Sequence, residues 1–583
     1  MRYLALVCDY DGTIALGGRV TEETVAALEE VLASGRKLIL VTGRELDDLL
    51  SVFPYTHLFE WVVAENGALA YRPSTKQEKS LAEPAPPALV EALHAKEVRP
   101  LSVGRVIVST LHPNEAVVLE VIRELGLESQ IIFNKGAVMV LPTGVNKASG
   151  LQFALGEMGL SAHNAVGIGD AENDHAFLAL CEISAAVANA LPMIKERADF
   201  IAQGIDGLGV QELAQELLGD DLQEIETRLT RHDILLGTRD NGEEVRIKPY
   251  RINLLLAGSS GGGKTTLATG LMERLAEQGY QFCIVDPEGD YTGLEEAIAV
   301  GNEQQPPSVN EVVQLLENPD VNAAINLLGV PLADRPLFLA ALLPALMELR
   351  TRTGRPHWIV LDEAHHLLPS SWESASLTLP QELEGLMLIT VHPNEVVPAV
   401  LSAVDTVLVV GDSPRETIEA FAKALDERVP SAIPETLETA EALVWSRTDD
   451  AAVKLNVSYG RAERRRHQRK YAEGDLGADK SFYFRGPEGK LNLRAQNLTL
   501  FLQIAEGLDD ETWMYHLWQG DYSRWFREAI KDEVLAAEAA RIEGAKDITA
   551  EESRARMKAL IEEHYTLPAS SSPATSDQDR KSL

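Results

Sequence analysis

The chain is short of cysteine, of basic residues and of long apolar runs, and each shortage closes off a class of protein. Its 583 residues hold three cysteines, Cys8, Cys181 and Cys283, odd in number and far apart. Neither a disulfide framework nor a cysteine zinc site can be built from that set, so the expected compartment is a reducing cytoplasm. Lysine and arginine number 53 against 89 aspartates and glutamates, a formal charge of −36. Such a chain is repelled by phosphate backbones in general, so nucleic-acid binding would require a local basic surface. There is no run of about 18 apolar residues and no basic-then-apolar leader. The most apolar stretch, LFLAALLPALMEL, is too short to span a bilayer, carries Pro344 and reads as a buried helix. No membrane partner is expected.

What is present is ordinary globular composition, 45% hydrophobic and 24% charged, at a length that implies about three or four domains. Residues 1–218 alternate strand-like runs (LALVCDY, KLILVTG, WVVAENG, NAVGIGD) with helical patterns. In TEETVAALEEVLASGRK, Val25, Leu28 and Leu32 share a face, acids fill the first turn and Gly35 stops it. A charged connector, GDDLQEIETRLTRHD, leads to a second alternating region over 226–455. A basic linker over 456–479 contains RAERRRHQRK, an aromatic-rich helical region spans 480–566, and the Ser/Pro-rich tail 567–583 reads as disordered.

In open α/β sheets, reactive groups collect at the carboxyl ends of strands. In the first region those positions carry Asp9 and Asp11 (DYDGT), Thr42 with Gly43 and Arg44 (VTGR), Lys147 (GVNKASG), and Asp170 and Asp174 (GDAEND). Together they suit phosphoryl transfer through a carboxylate, with one aspartate attacking phosphorus and a second managing protons. Distal acids bind Mg²⁺, which offsets repulsion between carboxylate and phosphate. DYDGT alone would read as a turn. GIGD alone invites a dinucleotide-binding reading, but the third glycine at the required spacing is missing. Cys8 reads as a strand packing residue.

This order of motifs resembles the haloacid dehalogenase superfamily. The resemblance implies that Asp9 is the nucleophile, Asp11 the general acid/base, and Thr42 and Lys147 the phosphate clamp. Mg²⁺ would take the Asp9 carboxylate, the Asp11 carbonyl and Asp170, with Asp174 in support. A βαββ-like stretch within about 79–143 is similar to the type IIB cap of Cof-like and sugar-phosphate phosphatases, and ENGA, with Asn66, fits that subgroup. A small phosphorylated substrate, sugar phosphates included, is the implied partner.

The second region carries NLLLAGSSGGGKTTLATGL: an apolar strand, then Gly258, Ser259, Gly261, Gly263, Lys264 and Thr265 of a G-x-x-x-x-G-K-T loop, with Thr266 entering a helix. Inward-turned backbone N–H groups cradle the β-phosphate of ATP, Lys264 reaches the β/γ-oxygens, and Thr265 offers a hydroxyl to Mg²⁺. HWIVLDEAHHLLP ends a strand in Asp362, suited to a magnesium-bound water, and Glu363, suited to polarising the attacking water. This half resembles the HerA/FtsK-type ATPases, through the hairpin-like entry ILLGTRDNGEEVRIKPYRINLLLAG, the acidic turn VDPEGDY and DEAHHLLP. The resemblance implies a homohexamer, DNA as a partner and an arginine donated by a neighbour, for which Arg335 and Arg415 are candidates. It departs from the pattern where His392 stands near a usual polar sensor.

The basic run Arg461–Lys470 reads as a solvated linker in preference to a nucleic-acid contact. Trp513, Trp518 and Trp525 read as core aromatics of a small helical domain in preference to base-stacking residues. The expected architecture is therefore α/β and multidomain: a haloacid-dehalogenase-type Rossmannoid domain with a small α+β cap, a RecA/FtsK-like P-loop α/β domain, and a small mostly helical domain. The leading functional expectation is a Mg²⁺-dependent phosphate-ester hydrolase fused to an ATPase. The alternatives are a nucleic-acid motor whose phosphatase head processes or senses, and a regulatory binder with little turnover.

Overall fold

The structure, a computed structural model, describes residues 1–134, 136–372, 384–438, 440–457, 481–530, 532–545 and 548–565. The basic run Arg461–Lys470 and the tail 567–583 lie outside these. The chain divides into two compact units, Met1–Ser458 and Tyr459–Leu583.

The first unit holds two large sheets. Five parallel strands of the first run in the order Ile183–Ala186, Ala165–Gly169, Ala5–Asp9, Lys37–Val41 and Trp61–Ala64. Phe200–Ile201 lies beyond the first of these, and an antiparallel pair, Leu69–Arg72 and Gln77–Ser80, extends the other edge. Ala5–Asp9 is central and fully buried, which is why it reads as an unbroken apolar run ending in an acid. The helix Glu22–Ala33 starts on Thr21, whose side chain accepts from Thr24 N, and Gly35 follows its end at φ 92°. Its buried residues are Thr24, Val25, Leu28 and Val31, whereas Leu32 is only half-buried. Val31 takes the place expected of Leu32, three residues after Leu28 on the same stripe. The connector is not a loose tether, since Leu222 and Leu229 join the core of the first sheet.

Between Ser80 and Val145 sits a separate antiparallel sheet, Leu101–Val103, Val108–Leu111, Ala137–Pro142 and Ser129–Asn134 in spatial order. Helices Pro87–Ala95 and Glu115–Glu124 cover it, giving Leu89, Leu93, Val118 and Val140 a small core of their own. The helix Pro87–Ala95 and the strand Leu101–Val103 are additions to the expected βαββ pattern.

The second large sheet has a parallel core in the order Thr406–Val410, Leu254–Gly258, Leu386–Thr390, Trp358–Leu361, Phe282–Asp286, Asn322–Asn326 and Ala297–Val300. Antiparallel strands, including the hairpin Ile234–Thr238 with Glu244–Ile247, continue it past Thr406–Val410. Leu255 and Ala257 pack on one face and Leu254 and Leu256 on the other, so the strand before the P-loop is apolar throughout. LFLAALLPALMEL lies in the helix Arg335–Thr353, which buries Leu339, Leu342, Leu343, Leu346 and Leu349 but leaves Leu337 64% exposed.

The second unit packs a short hairpin, Phe482–Phe484 with Leu493–Ala495, among helices from Leu498–Gly507 to Ala550–Tyr565. Trp513 and Trp525 are buried with Phe501 and Tyr522, but Trp518 is 74% exposed. The expectation that all three tryptophans are core aromatics fails for Trp518. Five residues of helix rotate a side chain by about 140° past a full turn, which carries it to the opposite face from Trp513.

Candidate active sites

The first site lies at the carboxyl end of the first sheet. Register puts Asp9 opposite Val41 and Cys8 opposite Ile168, so Asp9, Thr42 and Asp170 leave three adjacent strands at one level. Lys147 reaches them from another direction. Asn146 caps the helix Lys147–Glu157 through the N–H groups of Ala148 and Ser149, and Lys147 is its first residue, 1% exposed. Its ammonium donates to Asp9 Oδ1 at 2.6 Å and Asp174 Oδ1 at 2.5 Å. Asp174 Oδ2 accepts from the backbone N–H groups of Asp170 and Ala171 at 2.8 and 2.9 Å. Burial pushes the Asp9 carboxyl up to about 7, with Asp174 and Asp170 adding repulsion and Lys147 opposing. Burial alone would lower the Lys147 ammonium, but Asp174 and Asp9 outweigh it and hold the group above its ordinary value.

Asp9, Asp170 and Asp174 are all buried, with one ligand oxygen each lying within 4.8 Å of the others. Three hard-oxygen acids facing one ammonium leave a surplus of negative charge, and this donor set fits a magnesium-class cation. Asp11 stands at the more open edge, held bidentately by Arg44 at 2.6 and 2.7 Å. Thr42 is buried, and its hydroxyl accepts from Arg44 N at 3.1 Å. The structure thus brings Asp9, Lys147, Asp170 and Asp174 into one cluster, with Thr42 at the same strand level and Asp11 beside it.

Several neighbours escaped the sequence reading. Glu65, fully buried beside Asn66, accepts from the backbone N–H groups of Arg105, Val106 and Ile107 at 2.8, 2.8 and 3.1 Å, clasping the small sheet's loop. Asn66 accepts from Asn173 Nδ2 at 2.8 Å and donates to Met139 Sδ at 2.6 Å, so the cap strand Ala137–Pro142 reaches the site through a thioether. The signal was an acid beside the ENGA asparagine at a strand end. Its partners are backbone groups some 40 residues away and leave no mark in composition. Gly67, at φ 98°, is pressed so close to the Asn146 carbonyl that a Cβ would lie 1.8 Å from its oxygen, so no other residue fits there.

The second site follows the strand Leu254–Gly258. Ser259 lies in the loop, Gly261 and Gly263 adopt φ 75° and 95°, and Lys264, Thr265 and Thr266 open the helix Lys264–Glu277. Lys264 donates to the carbonyls of Gly258 and Ser259 at 3.2 and 3.1 Å. Burial lowers its ammonium, against Glu363, Asp362 and Glu288. Asp362 and Glu363 end the strand Trp358–Leu361, two strands from the P-loop strand. Burial, reinforced by Glu363, pushes the Asp362 carboxyl up to about 8. Glu363 sits at φ 40°, its Oε2 3.3 Å from His365 Nδ1, which also lies 3.0 Å from the Thr390 hydroxyl. Burial, with His366 and His392, brings His365 down to about 4, so the ring is neutral. Asp286, in the VDPEGDY turn, accepts from the N–H groups of Glu288, Gly289 and Tyr291. Arg335 donates to the Val330 carbonyl and Arg415 to the Ile433 carbonyl.

A Rossmannoid sheet with a clustered acid–lysine site, an inserted cap and a separate P-loop sheet defines a two-headed hydrolase. Residues 6–100 and 113–213 match the haloacid dehalogenase-like hydrolase family, and residues 250–352 match the central domain of helicase HerA. Phosphoglycolate phosphatase 2 of Saccharolobus solfataricus is 31% identical over 221 residues, 37% of this chain and 92% of that protein. The phosphoglycolate phosphatase of Methanothermobacter thermautotrophicus is 30% identical over 226 residues, 37% of this chain and 99% of that one. A haloacid dehalogenase-like hydrolase from Bacteroides thetaiotaomicron aligns in structure at 18% identity and a TM-score of 0.33, over 37% of this chain and 99% of that one. The chain belongs to the haloacid dehalogenase-like hydrolases through its first part and carries a HerA central domain in its second. It joins a phosphatase to an ATPase. Among the described residues no helix is long and apolar enough to cross a membrane.

Proposed function

We propose that the first head hydrolyses a small phosphorylated acid of the phosphoglycolate kind through an aspartyl-phosphate at Asp9. The observation that carries this reading is the buried Asp9–Lys147–Asp174 ion set with Asp11 beside it. An Asp9 oxygen bonds to phosphorus as the ester P–O bond breaks, and Asp11 protonates the departing oxygen. Asp11 then takes a proton from water, whose oxygen attacks the phosphorus, releasing phosphate and restoring the Asp9 carboxylate. Lys147 and Thr42 hold the equatorial oxygens, and the Arg44–Asp11 ion pair opens for Asp11 to carry the proton it delivers. Asp9, the Asp11 carbonyl, Asp170 and Asp174 would hold Mg²⁺, which supplies charge neutralisation at the phosphoryl oxygens.

The substrate class rests on the names of the relatives at about 30% identity. Phosphate release from a panel holding 2-phosphoglycolate and several sugar phosphates, with Mg²⁺ or with chelator, is the test. The reading expects Mg²⁺-dependent release with 2-phosphoglycolate preferred. Preference for a hexose phosphate overturns the substrate class, and release unaffected by chelator overturns the metal.

In the second head, Lys264 and the loop N–H groups from Gly258 to Thr266 would hold the ATP phosphates. Thr265 and Asp362 would hold its Mg²⁺, and Glu363 would polarise water. A second reading, a nucleic-acid motor with the phosphatase as a processing head, rests on the HerA match. It expects ATP turnover to rise with DNA, and a rate unmoved by single- or double-stranded DNA rules it out.

A further inference from the structure

We propose that the chain holds a second metal centre, a zinc-class site formed by His163, Glu182 and His232 where the phosphatase fold meets the end of the P-loop helix. These residues lie outside both active sites. His163 and Glu182 flank the strand Ala165–Gly169 and its neighbour Ile183–Ala186, and His232 comes from the connector. One ligand atom of each lies within 4.8 Å of the others.

The hydrogen bonds of His163 argue for a cation. Its Nε2 lies 2.7 Å from the carbonyl oxygen of Gln278, which can only accept, so Nε2 carries a proton. In the neutral ring Nδ1 is then a lone pair, and it faces Glu182 Oε2 at 2.5 Å. Two acceptors at that separation need a proton or a metal between them. His232 favours the metal. Its Nε2 lies 3.6 Å from the same carboxylate oxygen and has no hydrogen-bond partner among the described residues. A second proton on His163 satisfies one pair and leaves His232 idle; a metal uses all three.

The surroundings match those of a ligated centre. Metal-bound histidines donate their other ring N–H to a carbonyl or carboxylate, as His163 does to Gln278. The distal oxygen of Glu182 accepts from Arg2 at 2.7 Å, and Tyr280 Oη lies 3.1 Å from both carboxylate oxygens. The Tyr280 ring stacks on His163 at 3.8 Å, fixing its plane. Metal–nitrogen and metal–oxygen bonds of about 2.0–2.2 Å place tetrahedral ligands about 3.3 Å apart, so the His163–Glu182 contact must widen by less than about 1 Å. His232, 16% exposed at its side chain, gives an entry path. Two imidazoles and one carboxylate select Zn²⁺, Co²⁺ or Ni²⁺ over Mg²⁺. Such an ion would staple phosphatase and connector, with Gln278 and Tyr280 of the ATPase in its outer shell.

The test uses the tag-free full chain, stripped with chelator and held in excess Mg²⁺, then titrated with Co²⁺. Visible d–d absorption and metal content after gel filtration are read, with circular-dichroism melts as the folding control. One tightly held equivalent is expected in wild type and in Asp170→Asn, whose substitution disables only the phosphatase centre. His232→Gln should weaken binding at least about tenfold without lowering the fold's helical signal. The inference is overturned if wild type retains no equivalent, if His232→Gln binds as tightly as wild type, or if Asp170→Asn alone abolishes binding. It also falls if nitrogen NMR shows His163 doubly protonated with Co²⁺ present.

Discussion

Asp9 and Lys147 meet with both side chains buried, and single atoms there decide the outcome. Asp9→Asn keeps the shape but replaces the nucleophilic oxygen pair with an amide, so phosphate release should fall by at least about 10³, measured under saturating Mg²⁺. Unchanged release would remove Asp9 from the role proposed for it. A second residue-scale prediction concerns His357, half-buried, with Nδ1 accepting from Gln281 N at 2.8 Å. Burial holds its pKa well below the ordinary value, with His163, Arg2 and Arg355 adding and Glu182 opposing. The folded state therefore binds this proton less readily than the unfolded chain does. Stability from this group is complete above the unfolded value of about 6.5 and declines as pH falls below it. Thermal melts between pH 7.5 and 5.5 should show a drop that His357→Gln reduces; an equal drop in both proteins would assign the loss to other groups.

Among the elements, the clasp between Glu65 and the loop of the small sheet has the clearest consequence. Glu65→Ala leaves three backbone N–H groups, those of Arg105, Val106 and Ile107, without their acceptor. Partial rehydration keeps the expected loss to about 2–4 kcal/mol. Because the same loop belongs to the cap, KM should rise more than kcat falls, and steady-state kinetics beside a denaturant melt checks both. This clasp also marks how far the sequence could be read. The strands ending in Asp9, Thr42 and Asp170 were legible because both faces of each strand are buried, leaving apolar runs punctuated by acids and hydroxyls. Lys147 was legible by its place in a motif order. The Glu65 contacts, the Arg44–Asp11 pair and the approach of Met139 were not, since they join positions far apart in sequence through backbone atoms or unremarkable side chains. Trp518 departs from the expected core because five residues of helix turn it away from the face that buries Trp513.

At the scale of the whole molecule, the two chemistries occupy separate sheets. Lys264→Ala should abolish ATP hydrolysis while leaving phosphatase turnover within about tenfold. Loss of both activities in a folded variant would show that the sites are coupled. Self-association through the P-loop region is a further expectation. Leu332 and Leu337, 56% and 64% exposed, flank Arg335 and offer an apolar contact beside a candidate arginine finger. Light scattering of Glu363→Gln with ATP and Mg²⁺ should report a ring that Leu337→Glu disperses; a monomer at micromolar concentration in both would exclude it.

The way the heads are joined carries one more consequence. Arg355, fully buried in the ATPase, donates to the Gly159 carbonyl at 2.5 Å, and Asn164 Nδ2 lies 3.4 Å from the Gly354 carbonyl. With the Tyr280–Glu182 and Gln278–His163 contacts, these bonds cross between the two sheets independently of the peptide that links them. Covalent continuity is therefore redundant for holding the halves together. Residues 1–233 and 234–583, produced as two polypeptides cut ahead of the strand Ile234–Thr238, should find each other and co-purify as a stoichiometric pair.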